Sequence, residues 1–272
     1  MQITTNQAIP SYPKIVGNEA NISYPCYAEI KLDGEANVYY NESLTSKASG
    51  KIRRDFPVVR TLSWIMHEIG LPNAMLFGEL FWGEGKAGAL YDFLSHQKDD
   101  NLRFCIFDIY DPTLDGKGYE ERREAMISIL DSKAYADQDK VLMTKPHYLE
   151  VPNDLLALIA SNKLQGWEGL VVKNKDSVLY ANGSMIMNQT GWVKIKHKAT
   201  GDYVVSHIDP IQERMDVNVN GRLVGCKLVN KYRPFVHVGD VVEITHMGIL
   251  SNQGLRHPSF TGKIVSGGKI NP

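Results

Sequence analysis

The stretch Tyr27-Ala28-Glu29-Ile30-Lys31-Leu32-Asp33-Gly34 decides how the chain is read. At a period of two, Cys26, Ala28, Ile30 and Leu32 share one face, and Tyr27, Glu29, Lys31 and Asp33 share the other. That is a strand with an apolar face for the core and a charged face opposite. Asp33-Gly34 then turns the chain sharply, just where the lysine and a carboxylate point the same way. A solvated strand edge shows the same alternation, so the lysine is a candidate nucleophile on this evidence and no more. Four further segments follow in order: Phe77-Gly78-Glu79-Leu80, Leu102-Arg103-Phe104-Cys105-Ile106-Phe107-Asp108-Ile109, Glu168-Gly169-Leu170-Val171-Val172-Lys173, and Trp192-Val193-Lys194-Ile195-Lys196. In the last, Trp192, Lys194 and Lys196 share one face, and Val193 and Ile195 share the other.

The chain has 272 residues and enough apolar content for one large or two modest domains. Thirty basic residues against 31 acidic ones leave a formal charge of −1, which excludes a uniformly basic coat and confines any nucleic-acid contact to local patches. Its 3 cysteines, Cys26, Cys105 and Cys226, are far apart and each sits in an apolar run, as reduced core residues of an intracellular protein do. The 8 histidines show no ligand spacing, so a structural zinc site is not expected. Met1-Gln2-Ile3-Thr4-Thr5-Asn6 has neither a basic region nor an apolar run, and no stretch reaches membrane-spanning length. A cytoplasmic protein without membrane contact is the expectation.

Val58, Leu62, Ile65, Met66 and Ile69 mark one helical face that stops at Gly70. Asn153 is placed to cap a helix carrying Leu155, Leu156 and Ile159, and Tyr119 to Leu130 reads as a helix charged on its outer side. Strands do not alternate strictly with helices, which favours an α+β arrangement of antiparallel sheets with flanking helices over a doubly wound parallel sheet. After Lys198 the pattern changes. Runs at Tyr203–Ile208, Met215–Val219, Leu223–Val229, Val241–His246 and Phe260–Val265 are short and separated by turns, Asn220-Gly221 being a hairpin signal. Such a series suits a small barrel of the OB type. Residues 1–198 and 199–272 are therefore expected to be separate domains.

In order and separation, the five segments resemble the signature motifs of covalent nucleotidyltransferases, most closely the ATP-dependent DNA ligases, and the resemblance covers nearly the whole chain. Gly254 to Phe260 is similar to the end of the ligase OB domain. The resemblance implies that Lys31 attacks the α-phosphate of ATP, with a divalent metal, Mg²⁺ or Mn²⁺, neutralising charge. It implies that Lys194 and Lys196 contact the α-phosphate, that Asp33 and Glu79 hold the ribose and orient Lys31, and that Glu168, with Glu79, serves the metal. Glu29 would accept a hydrogen bond from the adenine amino group and Phe107 would stack on the purine, although a core phenylalanine reads the same way. Lys173 would complete the nucleotide site. Ser46-Lys47-Ala48-Ser49-Gly50 sits where ligases grip the nick 5′-phosphate with a serine-arginine segment, and Lys51, Arg53 and Arg54 beside it form the densest basic cluster, a plausible clamp for DNA phosphates.

Two departures stand out. Ala36 occupies the place of an arginine that usually follows the KxDG motif, leaving Lys47 or Asn37 to supply its contact. The usual C-terminal RxDK element is replaced by Thr261-Gly262-Lys263-Ile264-Val265-Ser266-Gly267-Gly268-Lys269, in which Lys263 or Lys269 would substitute. The expectation is a minimal two-domain ATP-dependent DNA ligase, acting as a monomer on nicked duplex DNA. The alternatives are an RNA ligase of the same superfamily and a non-catalytic OB-type nucleic-acid binder.

Overall fold

A computed structural model describes residues 13–68, 70–86, 102–130, 139–250 and 253–266. Met1 to Asn6, Ile69 and Lys269, which figure in the expectations above, lie outside the described residues. The chain divides into two compact units, Met1–Ile195 and Lys196–Pro272. The division falls slightly before the change of pattern noted at Lys198.

In the first unit the strands are β1 (Lys14–Gly17), β2 (Cys26–Lys31), β3 (Glu35–Tyr40), β4 (Ser43–Ser46), β5 (Ile52–Arg53), β6 (Met75–Trp82), β7 (Leu102–Tyr110), β8 (Val141–Met143), β9 (His147–Leu149), β10 (Gly169–Asn174), β11 (Tyr180–Ala181), β12 (Ser184–Met185) and β13 (Asn188–Lys196, its last residue beginning the second unit). The helices are α1 (Pro57–Glu68), α2 (Tyr119–Leu130) and α3 (Pro152–Leu164). One sheet has the order β1-β13-β10-β2-β9 and another the order β5-β4-β3-β6-β7-β8. Within each sheet most neighbours are antiparallel, as expected, but β1 with β13 and β7 with β8 run parallel.

The six-stranded sheet is backed by α1. Val58, Leu62, Ile65 and Met66, spaced three and four apart, are buried against Leu76, Leu80, Phe104, Ile106 and Ile109. Each such side chain contributes about 1.5–3 kcal/mol by leaving water. Pro57 is a good first residue because its missing N–H has no partner there anyway. The five-stranded sheet has its own core of Cys26, Ala28, Leu170, Val172 and Val193, with Leu155 and Ile159 of α3 against it.

Two helix readings need correction. Asn153 does not cap α3: Val151 is the N-cap residue, Pro152 comes first in the helix, and Asp154 Oδ2 accepts from the N–H groups of Glu150 at 2.9 Å and Val151 at 3.1 Å. Leu156 faces solvent, because one helical step of about 100° swings it off the narrow seam that Leu155 occupies. In α2 the outer side is charged, but Arg122 is buried and forks onto Asp108 with both bonds at 2.8 Å, fastening the helix to β7.

The second unit is a five-stranded closed barrel, β14 (Ala199–Ile208), β15 (Arg214–Val219), β16 (Arg222–Lys227), β17 (Val241–His246) and β18 (Ser259–Ser266), in the order β14-β15-β16-β18-β17. Each strand overlaps one of the short runs in the sequence. Asn220-Gly221 turns β15 into β16 with both φ angles positive, 51° and 87°, the backbone that this dipeptide tolerates best. Val205, Met215, Val217, Cys226, Val242 and Ile244 fill the interior. The β16–β18 contact is again parallel. Cys26, Cys105 and Cys226 are all buried free thiols. Among the described residues no helix is long and apolar enough to cross a membrane.

Candidate active site

Strand β2 runs antiparallel to β10 with Lys31 opposite Gly169 and Glu29 opposite Val171, which brings two of the sequence segments side by side. Strand β3 pairs with β6, setting Ala36 opposite Glu79. Gly34 lies between β2 and β3 because nothing larger fits: a Cβ there would sit 2.3 Å from the carbonyl oxygen of Leu80. That close approach lets Gly34 N–H donate to Glu79 Oε1 at 3.1 Å.

These strands wall a cavity of about 310 Å³ in the first unit, lined among others by Glu29, Lys31, Lys47, Glu79, Phe107, Lys173 and Lys194. Four lysines therefore converge on one space. Lys31 Nζ is ion-paired with the buried carboxylate of Glu168. Glu79 is pushed up to about 7, chiefly by burial; the positive charge of Lys31 and the Gly34 bond oppose the shift, and the charges of Glu168 and Asp33 add to it. Asp33 is itself buried, its N–H donating to Gly85 C=O at 2.9 Å. Lys47 donates to Pro13 C=O at 3.2 Å and is lowered to about 8 by desolvation and then by repulsion from Lys194 and Lys31.

At the other end of the cavity Lys173 is enclosed. Its Nζ lies 3.0 Å from Glu29 Oε2 and donates to Phe107 C=O at 2.6 Å. It stands 5.1, 4.4 and 4.7 Å from the ring centroids of Phe107, Tyr119 and Trp192, a cage of aromatic faces that holds a desolvated cation. Tyr119 Oη also donates to Glu29, so this carboxylate is fixed from two sides. Phe107 is half-buried on the cavity wall rather than sealed in the core between Cys105 and Ile109.

Of the expected residues, Glu29, Lys31, Glu79, Phe107, Lys173 and Lys194 line the cavity, and Glu168 joins it through Lys31. Lys196 belongs to the second unit, where it lines a separate hollow with Lys198, His246 and His257. Lys263 pairs there with Glu243 at 3.1 Å. Among the described residues no group of three or more His, Cys, Asp or Glu side chains forms a ready-made metal site.

Only part of the basic cluster faces solvent. Lys51 and Arg54 are exposed, but Arg53 is buried, ion-paired with Glu35 at 2.6 Å and donating to Asn37 Oδ1 at 3.1 Å. Alternation along β5 turns it inward, toward a carboxylate that neutralises it. Asn37 is engaged in the same network and does not reach the cavity lining, whereas Lys47 does. Tyr119 was missed. It contacts Glu29 across 90 residues of chain, and no local pattern announces such a partner.

The sequence pattern of the RNA ligase family matches residues 25–196. Among solved structures, one from a study of DNA binding with a minimal scaffold by Lig E DNA ligases superposes with a TM-score of 0.69 at 19% identity, over 87% of this chain and 91% of that one. The Chlorella virus DNA ligase-adenylate gives 0.52 at 18%, over 95% and 99%. A mycobacterial DNA ligase D complexed with ATP and MES gives 0.50 at 16%, over 92% and 92%. At these identities the likeness is one of fold. No curated protein sequence matches this one.

Proposed function

We propose, from the premise that the chain belongs to the RNA ligase family, that it is an ATP-dependent polynucleotide ligase sealing 5′-phosphate/3′-hydroxyl nicks in duplex DNA. The observation that carries this reading is the convergence of Lys31, Lys47 and Lys194 on one cavity, beside two carboxylates. A triphosphate needs concentrated positive charge, and an amine nucleophile among cations can meet its α-phosphorus.

In the first step the Lys31 ammonium gives up a proton to water, the freed nitrogen lone pair then forms a P–N bond to the α-phosphorus, and a second proton is shed from the nitrogen once that bond has formed. The bond to the bridging oxygen breaks, its electron pair leaves with pyrophosphate, and that second proton passes to Glu168 or water. Separation of the Lys31–Glu168 ion pair therefore precedes attack. A nick 5′-phosphate oxygen then takes the AMP, and the P–N electron pair returns to Lys31. Finally the 3′-hydroxyl oxygen attacks the 5′-phosphorus, AMP leaves, and the hydroxyl proton is lost.

The adenine fits between Phe107 and the Glu29–Lys173 pair. A carboxylate offers about four acceptor positions, so the Tyr119 and Lys173 bonds leave room for the amino group of the base. Glu79 and Glu168 suit Mg²⁺ or Mn²⁺: hard carboxylate oxygens plus substrate phosphates are the usual set for such ions. When bound, the ion would neutralise phosphate charge. We read the closed barrel, with its order β14-β15-β16-β18-β17, as OB-type. Lys51 and Arg54 remain available to nucleic-acid phosphates.

The DNA ligases with similar folds, one in an adenylated form and one complexed with ATP, support ATP and DNA as substrates. The family match favours a second reading, the joining of RNA strands. Incubation with α-labelled ATP followed by a denaturing gel should give a labelled protein that Lys31→Ala abolishes. Residual label on the variant removes Lys31 as the nucleophile, and sealing of RNA but not DNA nicks replaces the first reading with the second.

A further inference from the structure

Trp167 belongs to none of the apolar clusters among the described residues, although it is one of the largest apolar side chains in the chain. It is half-buried, and its indole N–H donates to Gln165 Oε1 at 3.2 Å, so one edge is polar and wet. Over the ring, at 5.5 Å from its centroid, stands the ammonium of Lys86. That ammonium is also held by Glu84 at 2.8 Å, but both side chains are largely exposed, 46% and 73%. Exposed pairs of this kind are weak and exchange readily for another anion.

Both residues are tied to the nucleophile through the chain itself. Trp167 immediately precedes Glu168, the partner of Lys31. Lys86 immediately follows Gly85, whose carbonyl accepts from Asp33 N–H at 2.9 Å. An aromatic face and a loosely held cation thus stand together beside Lys31 and outside the nucleotide cavity, whose lining includes neither.

We propose that Trp167 and Lys86 form the subsite for the nucleic-acid strand end that approaches Lys31, the indole stacking on its terminal base and the ammonium meeting its adjoining phosphate. The inference rests on the reading of Lys31 as the adenylated nucleophile. Stacking is indifferent to base identity because every base has a π face, and it suits an enzyme that must accept any sequence at a break. Moving the Lys86 ammonium from Glu84 to a backbone phosphate exchanges one weak exposed pair for another while uncovering the ring for the base.

The test is equilibrium binding of a 5′-phosphorylated nicked DNA duplex to the full chain, by fluorescence anisotropy without ATP, across a salt series. Trp167→Ala should raise Kd about tenfold with the salt slope unchanged, because stacking releases no counterions, and Trp167→Phe should recover most of the loss. Lys86→Ala should lower the slope by about one. Thermal unfolding of each variant separates lost binding from lost structure. Unchanged Kd in Trp167→Ala overturns the proposal, as does a loss that Trp167→Phe does not recover or that accompanies a fall in Tm. If the unmodified protein forms no adduct with ATP while these binding results hold, the ligase reading fails and the strand subsite survives.

Discussion

Lys47→Met should make the protein more stable at neutral pH, although it removes a side chain from the cavity proposed to take the nucleotide. The ordinary lysine value of 10.5 falls to about 8 at Lys47, first through desolvation and then through repulsion from Lys194, with Lys31 adding to it. At 1.36 kcal/mol per tenfold change, the charged form is disfavoured in the folded state by about 3 kcal/mol before screening. Solvent reaches this residue, which brings the figure to on the order of 1 kcal/mol. A lowered lysine gives the unfolded chain the greater proton affinity between about pH 8 and 10.5, so stability of the unmodified protein rises with pH there and the cost applies fully below 8. The variant should therefore lead by about 1 kcal/mol at pH 7, and its lead should shrink as pH rises through 8. Urea unfolding of both proteins at pH 7, 8 and 9.5 makes the comparison. Equal stabilities at every pH, or a lead that grows with pH, would refute the claim that three ammonium groups strain one cavity. Nucleotide affinity should move the opposite way, since a bound phosphate converts that repulsion into attraction.

Glu79→Gln should remove an inflection near pH 7 from the rate of Lys31 adduct formation. It should also flatten stability between the ordinary carboxylate range and pH 7, where the raised carboxyl makes the unmodified protein lose stability as pH rises. A pH profile that keeps its inflection assigns it to another group. Arg53→Ala, which takes away the counter-charge of Glu35 and leaves it only the Ser46 and Asn37 hydrogen bonds, should cost about 3 kcal/mol of unfolding free energy, leaving the salt dependence of nucleic-acid binding alone. Arg54→Ala should do the reverse, lowering that slope by about 0.9 at little cost in stability; the opposite assignment of effects would return Arg53 to the surface.

Much of the fold was legible because its signals are local. The five barrel strands were readable from short apolar runs and the Asn220-Gly221 turn, and α1 from apolar residues three and four apart. The cavity was legible for a different reason: Lys31, Glu79, Glu168 and Lys194 occur at spacings that a known family shares. What eluded the sequence depended on distant partners. Arg53 looks like its neighbours Lys51 and Arg54 until Glu35 and Asn37 are seen beneath it. Lys47 was expected at a nick because its segment sits where ligases carry a serine-arginine motif; that it also lines the cavity, with its N–H set against Ala36 C=O at 2.9 Å, depends on how β4 and β3 pair. Tyr119 and the aromatic cage of Lys173 are assembled from strands and a helix far apart in the chain, and nothing in a window of ten residues could announce them. The parallel partners of β1 and β7 were hidden likewise, since pairing direction leaves no mark on a single strand.

The place of β13 has a consequence for the making of the protein. The first strand of the larger unit pairs with the last, Lys14 opposite Asn188, and β13 also lies against β10, which carries β2. During synthesis the residues around Lys31 emerge early, yet the strand that bears Lys194 and holds β1 emerges only as the unit is completed. A partly made chain has its prospective nucleophile but lacks one of the cations that face it and the strand that clasps its beginning. The site is thus assembled by the closing of the unit rather than built up motif by motif, and an unfinished copy lacks the complete cavity.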